Sequence, residues 1–359
     1  MSDLLVPMRL AELLRLARSK NASDLHVAPN MMPVLRIDGR LEQFGPRTSH
    51  HECALVADEL LSESARQRLE EVGDVSIAYR EPELGSFRIH AYRTSGGVSF
   101  GMRLLAASIP TLESLHLPSA VAAFAQRQSG LVLFAGPTGS GKTTALAALI
   151  DRINRNDARH IITIEDPIEY EHKAQKSIVS QREVGRDVRS FADALIGALR
   201  SDPDVVLVGE LRDAETMRAA MTAAETGHLV FATLHTGDSP QTIDRIIDAF
   251  PSAAQTQVRV QLSQTLLAVV CLRLVPRLSG PGRRAAAEVL LANDAVRNLI
   301  RDQKTHQVRN VIATGRQSGM QTLEAHLSEL VMRREISLEA ARAVTDRPSD
   351  VRVLERSAG

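Results

Sequence analysis

The sequence contains no tryptophan, three tyrosines and eight phenylalanines in 359 residues. A motor that tracks single-stranded nucleic acid needs a basic groove with aromatic side chains on which bases stack, and this composition supplies few. It has no surplus of positive charge either: 43 Lys and Arg stand against 43 Asp and Glu, a formal net charge of zero. Nothing in that balance argues for a phosphate-backbone footprint, so no nucleic-acid partner is expected. Cysteine is nearly absent. Cys53 and Cys271 are far apart, with no Cys/His pair at metal-ligand spacing, which excludes a disulfide scaffold and a zinc ribbon and fits a reducing compartment. No segment approaches the length needed to span a bilayer, and Met1–Met8 lacks a basic region followed by an apolar run. The expectation is a soluble, cytoplasmic protein that meets a membrane only through a partner.

What is present is organised around residues 131–144. Leu131–Ala135 is an apolar run that ends in Gly136-Pro137-Thr138-Gly139-Ser140-Gly141-Lys142-Thr143-Thr144, and an Ala/Leu-rich helical segment follows. Strand, phosphate loop and helix in that order is a nucleotide-binding pattern. The glycines let successive N–H groups turn inward, and the helix adds the positive end of its dipole. Lys142 then reaches the β- and γ-phosphates of ATP, and the Thr143 hydroxyl ligates the bridging Mg²⁺. A plain Gly-rich turn would explain the glycines but not the lysine and threonine in phase with them.

Organisation on either side of this loop differs. Before it, Leu10, Leu13, Leu14 and Ala17 share one face of a helix over 8–19. Strands are expected at 23–27 and 33–41, the latter turning at Asp38-Gly39, then a helix at about 50–71 and alternating strands at 74–79, 85–93 and 98–104. Residues 1–107 thus read as a small α+β domain. The stretch 108–118, with two prolines and little periodicity, reads as a linker. From 119 to 345 short apolar strands at 131–134, 160–164, 205–208 and 229–233 alternate with helices, which predicts parallel strands with crossover helices. Beyond about Asp238 the chain reads as mostly helical, and 346–359 as a disordered tail.

Four stretches narrow the chemistry. Glu165-Asp166-Pro167 closes a strand at the edge where α/β sheets bind ligands; its acids either hold Mg²⁺ and position water or form a solvated turn. Glu210, in Gly209-Glu210 at the tip of a second strand, is the expected general base and a Mg²⁺ partner. Arg212 and Asp213 after it read equally as a surface ion pair. His228 and His235 bracket a third strand: His235, with Thr233, is a candidate sensor of the γ-phosphate, and His228 either joins the nucleotide site or caps the strand. Arg88, Arg93 and Arg103 on the N-terminal strands are either a solvated face or stabilisers of charge on the γ-phosphate.

Taken together, Gly136–Thr144, Glu165-Asp166-Pro167, Asp202-Pro203-Asp204 through Arg212-Asp213, and Thr226-Gly227-His228 through His235-Thr236 resemble the Walker A, Asp-box, Walker B and His-box of the secretion superfamily ATPases. Ala22–His26 with Arg36–Gly39 is similar to the start of the PAS-like domain of their type IV pilus retraction branch. Ala295-Val296-Arg297-Asn298-Leu299-Ile300-Arg301-Asp302 resembles that branch's Ala-Ile-Arg-Asn-Leu-Ile-Arg-Glu signature, departing only at Val296 and Asp302. Read alone, it is an amphipathic packing helix. The four-cysteine zinc module and longer N-terminal region of extension and type II secretion ATPases are not found. The resemblance implies a RecA-like P-loop core, a PAS-like N-terminal domain and a helical C-terminal part. It also implies a homohexamer that hydrolyses Mg-ATP, works on an inner-membrane platform protein from the cytoplasmic face, and drives pilus retraction in twitching motility. An accessory ATPase with little turnover is the alternative.

Overall fold

The computed structural model describes residues 10–37, 39–81, 83–105, 108–280 and 282–352. Residues 8 and 9 of the expected first helix, Asp38 of the expected turn, and 353–359 of the expected tail lie outside them. The chain divides into two units, Met1–Ser108 with Pro167–Tyr170, and Ile109–Asp166 with Glu171–Gly359.

In the first unit α1 (Leu10–Ser19) buries the face its periodicity predicts. β1 (Asp24–Val27) follows, and the expected second strand is an antiparallel pair, β2 (Val34–Ile37) and β3 (Arg40–Gln43). The single helix expected at 50–71 is two, α2 (His50–Leu60) and α3 (Glu63–Val72). Leu61 is extended, and the Ser62 hydroxyl accepts from the Ala65 N–H at 3.3 Å, so a cap restarts the helix. β4 (Asp74–Glu81), β5 (Gly85–Thr94) and β6 (Gly97–Leu104) complete an antiparallel six-stranded sheet of order β3-β2-β1-β6-β5-β4. Phe87, Ile89, Phe100 and Met102 project from one face into a core shared with the three helices.

The second unit opens with a departure. Ile109–Pro118, expected as a linker, is part of this unit: Leu112 is buried, and Ile109, Leu115 and Leu117 pack on its core. The prolines remove periodicity without removing the apolar surface. Then come α4 (Ser119–Ala123), β7 (Gly130–Ala135), α5 (Lys142–Asn156), β8 (His160–Glu165), β9 (Ile178–Glu183), α6 (Phe191–Ala198), β10 (Val205–Val208), α7 (Ala214–Glu225) and β11 (Leu229–Leu234). After these are α8 (Ser239–Asp248), α9 (Ser252–Thr265), β12 (Leu266–Pro276), β13 (Arg283–Leu291), α10 (Asp294–Arg301), α11 (Val308–Thr314), α12 (Leu323–Met332) and α13 (Leu338–Ala343).

The seven strands form one sheet of order β13-β12-β7-β11-β10-β8-β9, parallel except for β13. Its central strands are apolar on both faces, as a sheet covered on both sides requires. Val230 and Ala232 enter one core and Leu229 and Phe231 the other.

The region after Asp238 is mostly helical, as expected, but β12 and β13 interrupt it with a long antiparallel hairpin in the central sheet. Leu266–Leu272 is a continuous apolar run, which periodicity alone cannot assign to helix or strand. The tail is also partly built in: Val351 is buried and Asp350 pairs with Arg309 at 3.3 Å.

Candidate active site

The parallel strands point their carboxyl ends to one edge of the sheet, and the phosphate loop occupies it between β7 and α5. Its glycines are there for steric reasons. Gly136 has φ +138°, and a Cβ on it would lie 2.6 Å from both the Leu272 carbonyl oxygen and the Ser140 Oγ; Gly139 and Gly141 also have positive φ. Lys142 is buried and donates from Nζ to the Gly136 and Pro137 carbonyls at 2.6 and 3.0 Å, which holds the ammonium in the curve of the loop. Thr143 and Thr144 follow on the first turn of α5. A tight loop that excludes a side chain at Gly136, a buried cation and a helix N-terminus together fit a nucleotide polyphosphate, with Pro137, Thr138 and Ser140 completing the wall.

Glu165, Glu210 and His235 reach the same edge from the end of β8, two residues beyond β10 and one residue beyond β11. Glu165 is buried, and its Oε1 accepts from the Thr163 hydroxyl at 2.7 Å and from Gln181 Nε2 at 3.1 Å. Gln181 lies on β9, a strand that the polar sequence Ile178–Glu183 hides. Glu210 is held on both oxygens, by Arg212 Nε at 2.7 Å and His235 Nε2 at 3.2 Å. Arg212 also reaches Asp166 at 3.2 Å and lies over the Phe191 ring. The hydrogen bond from Arg212 to Glu210 raises the guanidinium's pKa above its ordinary value, against a smaller opposing effect of burial. Thr233 donates its hydroxyl to the Gly209 carbonyl and accepts from Leu211 N–H through its own carbonyl, which fixes the backbone on both sides of Glu210.

Arg212 and Asp213 do not form the surface pair that their adjacency allows. Asp213 caps α7 by accepting from Thr216 N–H at 2.8 Å, and Arg212 turns to the two acids. The structure does not bring His228 to the phosphate loop. It precedes β11 at the opposite, amino edge of the sheet, where its Nδ1 lies 2.9 Å from the Ala223 carbonyl and 3.2 Å from the Thr226 hydroxyl at the end of α7. Arg88, Arg93 and Arg103 belong to the other unit. Arg88 and Arg103 are cross-strand partners on β5 and β6, and Arg103 pairs with Asp24 at 3.0 Å; Arg93, five residues on from Arg88, projects to the opposite face. The segment Ala295–Asp302 falls on α10, with Val296 and Ile300 buried and Arg297 donating to the Ser263 and Gln264 carbonyls at the end of α9.

Comparison with known proteins agrees with this geometry. The family model described as type II/IV secretion system protein matches residues 3–357. The chain is 41% identical over 336 residues to the type IV pilus retractation ATPase PilT of Pseudomonas aeruginosa, covering 93% of this chain and 97% of that one. It is 39% identical to the type IV pilus ATPase PilU of the same organism, covering 97% and 91%. The crystal structure of the pilus retraction motor PilT with bound ADP superposes with a TM-score of 0.89 at 44% identity, over 95% of this chain and 98% of that one. The chain therefore belongs to the type II/IV secretion system protein family, in its class of pilus-retraction ATPases.

Proposed function

We propose that this chain hydrolyses Mg-ATP and, as a homohexamer, powers retraction of type IV pili in twitching motility. The observation that carries the reading is the Glu210 carboxylate, at the strand tip two strands from the phosphate loop and oriented by Arg212 and His235. Two donors fix its position for abstracting a proton from water, the role of a general base. Lys142 and the loop N–H groups bind the phosphates. Thr143, with Glu165 and Glu210 directly or through water, would hold Mg²⁺, which supplies positive charge against the phosphate oxygens. His235, beside Glu210, responds to the γ-phosphate, and Arg88, Arg93 or Arg103 neutralises charge as it develops there.

No helix among the described residues is long and apolar enough to cross a membrane. We place the protein in the cytoplasm, at the inner face of the cytoplasmic membrane through a platform protein. The relative PilT is a retraction ATPase by name and its structure carries ADP, which supports both halves of the reading.

The second reading is an accessory pilus ATPase with little turnover of its own. Steady-state Mg-ATP hydrolysis by wild type, Lys142→Ala and Glu210→Ala, with oligomeric mass recorded in parallel, separates the two. Turnover by a hexamer, abolished by both substitutions, is the expected result. Nucleotide binding without turnover in the wild type would move the assignment to the accessory reading.

A further inference from the structure

On the face of the central sheet that α5 covers, β8 and β9 change from apolar to polar along their length. The two strands run parallel in the register Ile161–Val179, Thr163–Gln181 and Glu165–Glu183. Ile161 and Val179 pack with Leu146, Leu149 and Ile153 of α5 in one core. Side chains two and four residues further on share that face. Thr163, Glu165 and Glu183 are buried there, and Gln181 is half-buried.

Two donors converge on one oxygen of Glu165, the Thr163 hydroxyl from the same strand and Gln181 Nε2 from across the register. The far side of the Gln181 amide decides which of its atoms faces the acid. Its Oε1 accepts from the His172 N–H at 2.8 Å. A backbone N–H can only donate, so the amide NH₂ is turned to Glu165. The loop after His172 is itself fixed. Asn154, buried on α5, donates from Nδ2 to the Lys173 carbonyl at 2.8 Å, accepts at Oδ1 from the Gln175 N–H at 3.0 Å, and accepts at its own carbonyl from the Lys176 N–H at 2.9 Å. These three hydrogen bonds tie an exposed loop to the helix that begins at Lys142.

We infer that Gln181 is a positioning residue for Mg-ATP hydrolysis: it aims the Glu165 carboxylate, and Asn154 fixes the loop that orients Gln181. The amide suits the task because one end donates and the other accepts. It spans a carboxylate and a backbone N–H, and no charged or apolar side chain of its length offers both. Helix α5 thereby carries the phosphate-loop lysine at its start and the anchor of the acid's frame near its end. Partners that orient a metal-ligating carboxylate are worth about 10–100-fold in metal affinity or activity. The inference rests on the proposed role of Glu165 at Mg²⁺ and adds what sets its geometry.

The test is a Mg²⁺ titration of the full chain with a fluorescent ATP analogue bound, beside steady-state hydrolysis, for wild type, Gln181→Met, Glu165→Gln and the double variant. In Gln181→Met the Mg²⁺ midpoint should rise and kcat fall by about tenfold each. KM for ATP at saturating Mg²⁺, and affinity for the analogue in EDTA, should stay within about twofold of wild type. In the Glu165→Gln background, Gln181→Met should move midpoint and kcat by less than about twofold, because nothing is left to position. Gln181→Glu keeps an acceptor for the His172 N–H but turns a carboxylate on Glu165, so it should lower kcat at least as far with the loop contact intact. Unchanged midpoint and kcat in Gln181→Met when Glu165→Gln alters both, losses that multiply in the double variant, wild-type kcat in Gln181→Glu, or an equal weakening of the metal-free affinity would each overturn the inference alone. A Glu165→Gln variant that matched wild type would remove the proposed role of Glu165 and the inference with it, so the two failures are told apart.

Discussion

Arg212 Nε donates to Glu210 Oε2 at 2.7 Å, and the same guanidinium reaches Asp166 at 3.2 Å. One planar fork thus ties together the acids that end β8 and β10. Arg212 is 54% exposed, so the pairs contribute only about 0–1 kcal/mol to stability. Their value lies in orientation. Arg212→Lys keeps the charge and loses the fork, and should lower kcat by about tenfold, with Arg212→Ala lower again by about as much, while the unfolding midpoint moves little. Steady-state kinetics beside thermal unfolding checks both halves.

Gly136 and Gly139 make a matched pair for the phosphate loop. Both have positive φ, but a Cβ at 136 meets the Leu272 carbonyl at 2.6 Å and one at 139 meets nothing within 4 Å. Gly139→Ala should therefore cost only the backbone penalty of about 1–2 kcal/mol and leave nucleotide binding measurable. Gly136→Ala must displace β12 or the loop, and should abolish binding of a fluorescent ATP analogue.

Most of the site could be read from the chain because its residues sit where strand tips must end. The run Leu131–Ala135 before Gly136, Val205–Val208 before Glu210 and Leu229–Leu234 before His235 each mark a buried parallel strand, and parallel order sends their ends to one edge. What was illegible has physical reasons. β9 is an edge strand of mixed polarity, so Gln181 could not be seen behind Glu165. The apolar run of β12 had no period, and its lone Arg273 was the signal that one position meets a polar wall. Adjacent Arg212 and Asp213 suggested each other as partners, but a helix N-terminus claimed the aspartate. For His228 the sequence left both a nucleotide contact and a strand cap open, because only the direction of β11, about 20 Å long for six residues, decides which of the two flanking histidines meets the phosphate-loop edge.

A second buried acid tests the other side of the sheet. Glu288 on β13 accepts from the Ser239 N–H at 2.8 Å and its hydroxyl at 2.6 Å, capping α8 from within the core. Glu288→Ala strands both donors and should destabilise the protein by about 2–3 kcal/mol. Glu288→Gln keeps an acceptor and should cost less. Denaturant melts of the two variants give the comparison.

Acid should weaken the fold through His172. Burial holds its imidazole down to about 4 from an ordinary 6.5, with Asp151 opposing the shift. The unfolded chain therefore binds more protons between those values, and stability present at neutral pH is lost as pH falls through them, by about 2 kcal/mol at pH 5. The denaturation midpoint of the wild type should drop over that window, and His172→Gln should flatten the drop.

His326 draws a different consequence from the hairpin. β13 is the last strand of the sheet, yet its outward backbone is occupied: Ala287 N–H donates to His326 Nδ1 at 3.0 Å, and Gln321 exchanges backbone hydrogen bonds with Val289 while its Nε2 donates to the Ala287 carbonyl. Side chains and one bridge thus seal an edge that would otherwise template another strand. The seal needs an imidazole without a proton on Nδ1, and burial lowers the pKa of His326 in keeping with that. Protonation removes the acceptor and bares the Ala287 amide, so self-association of this chain in mild acid would begin at β13.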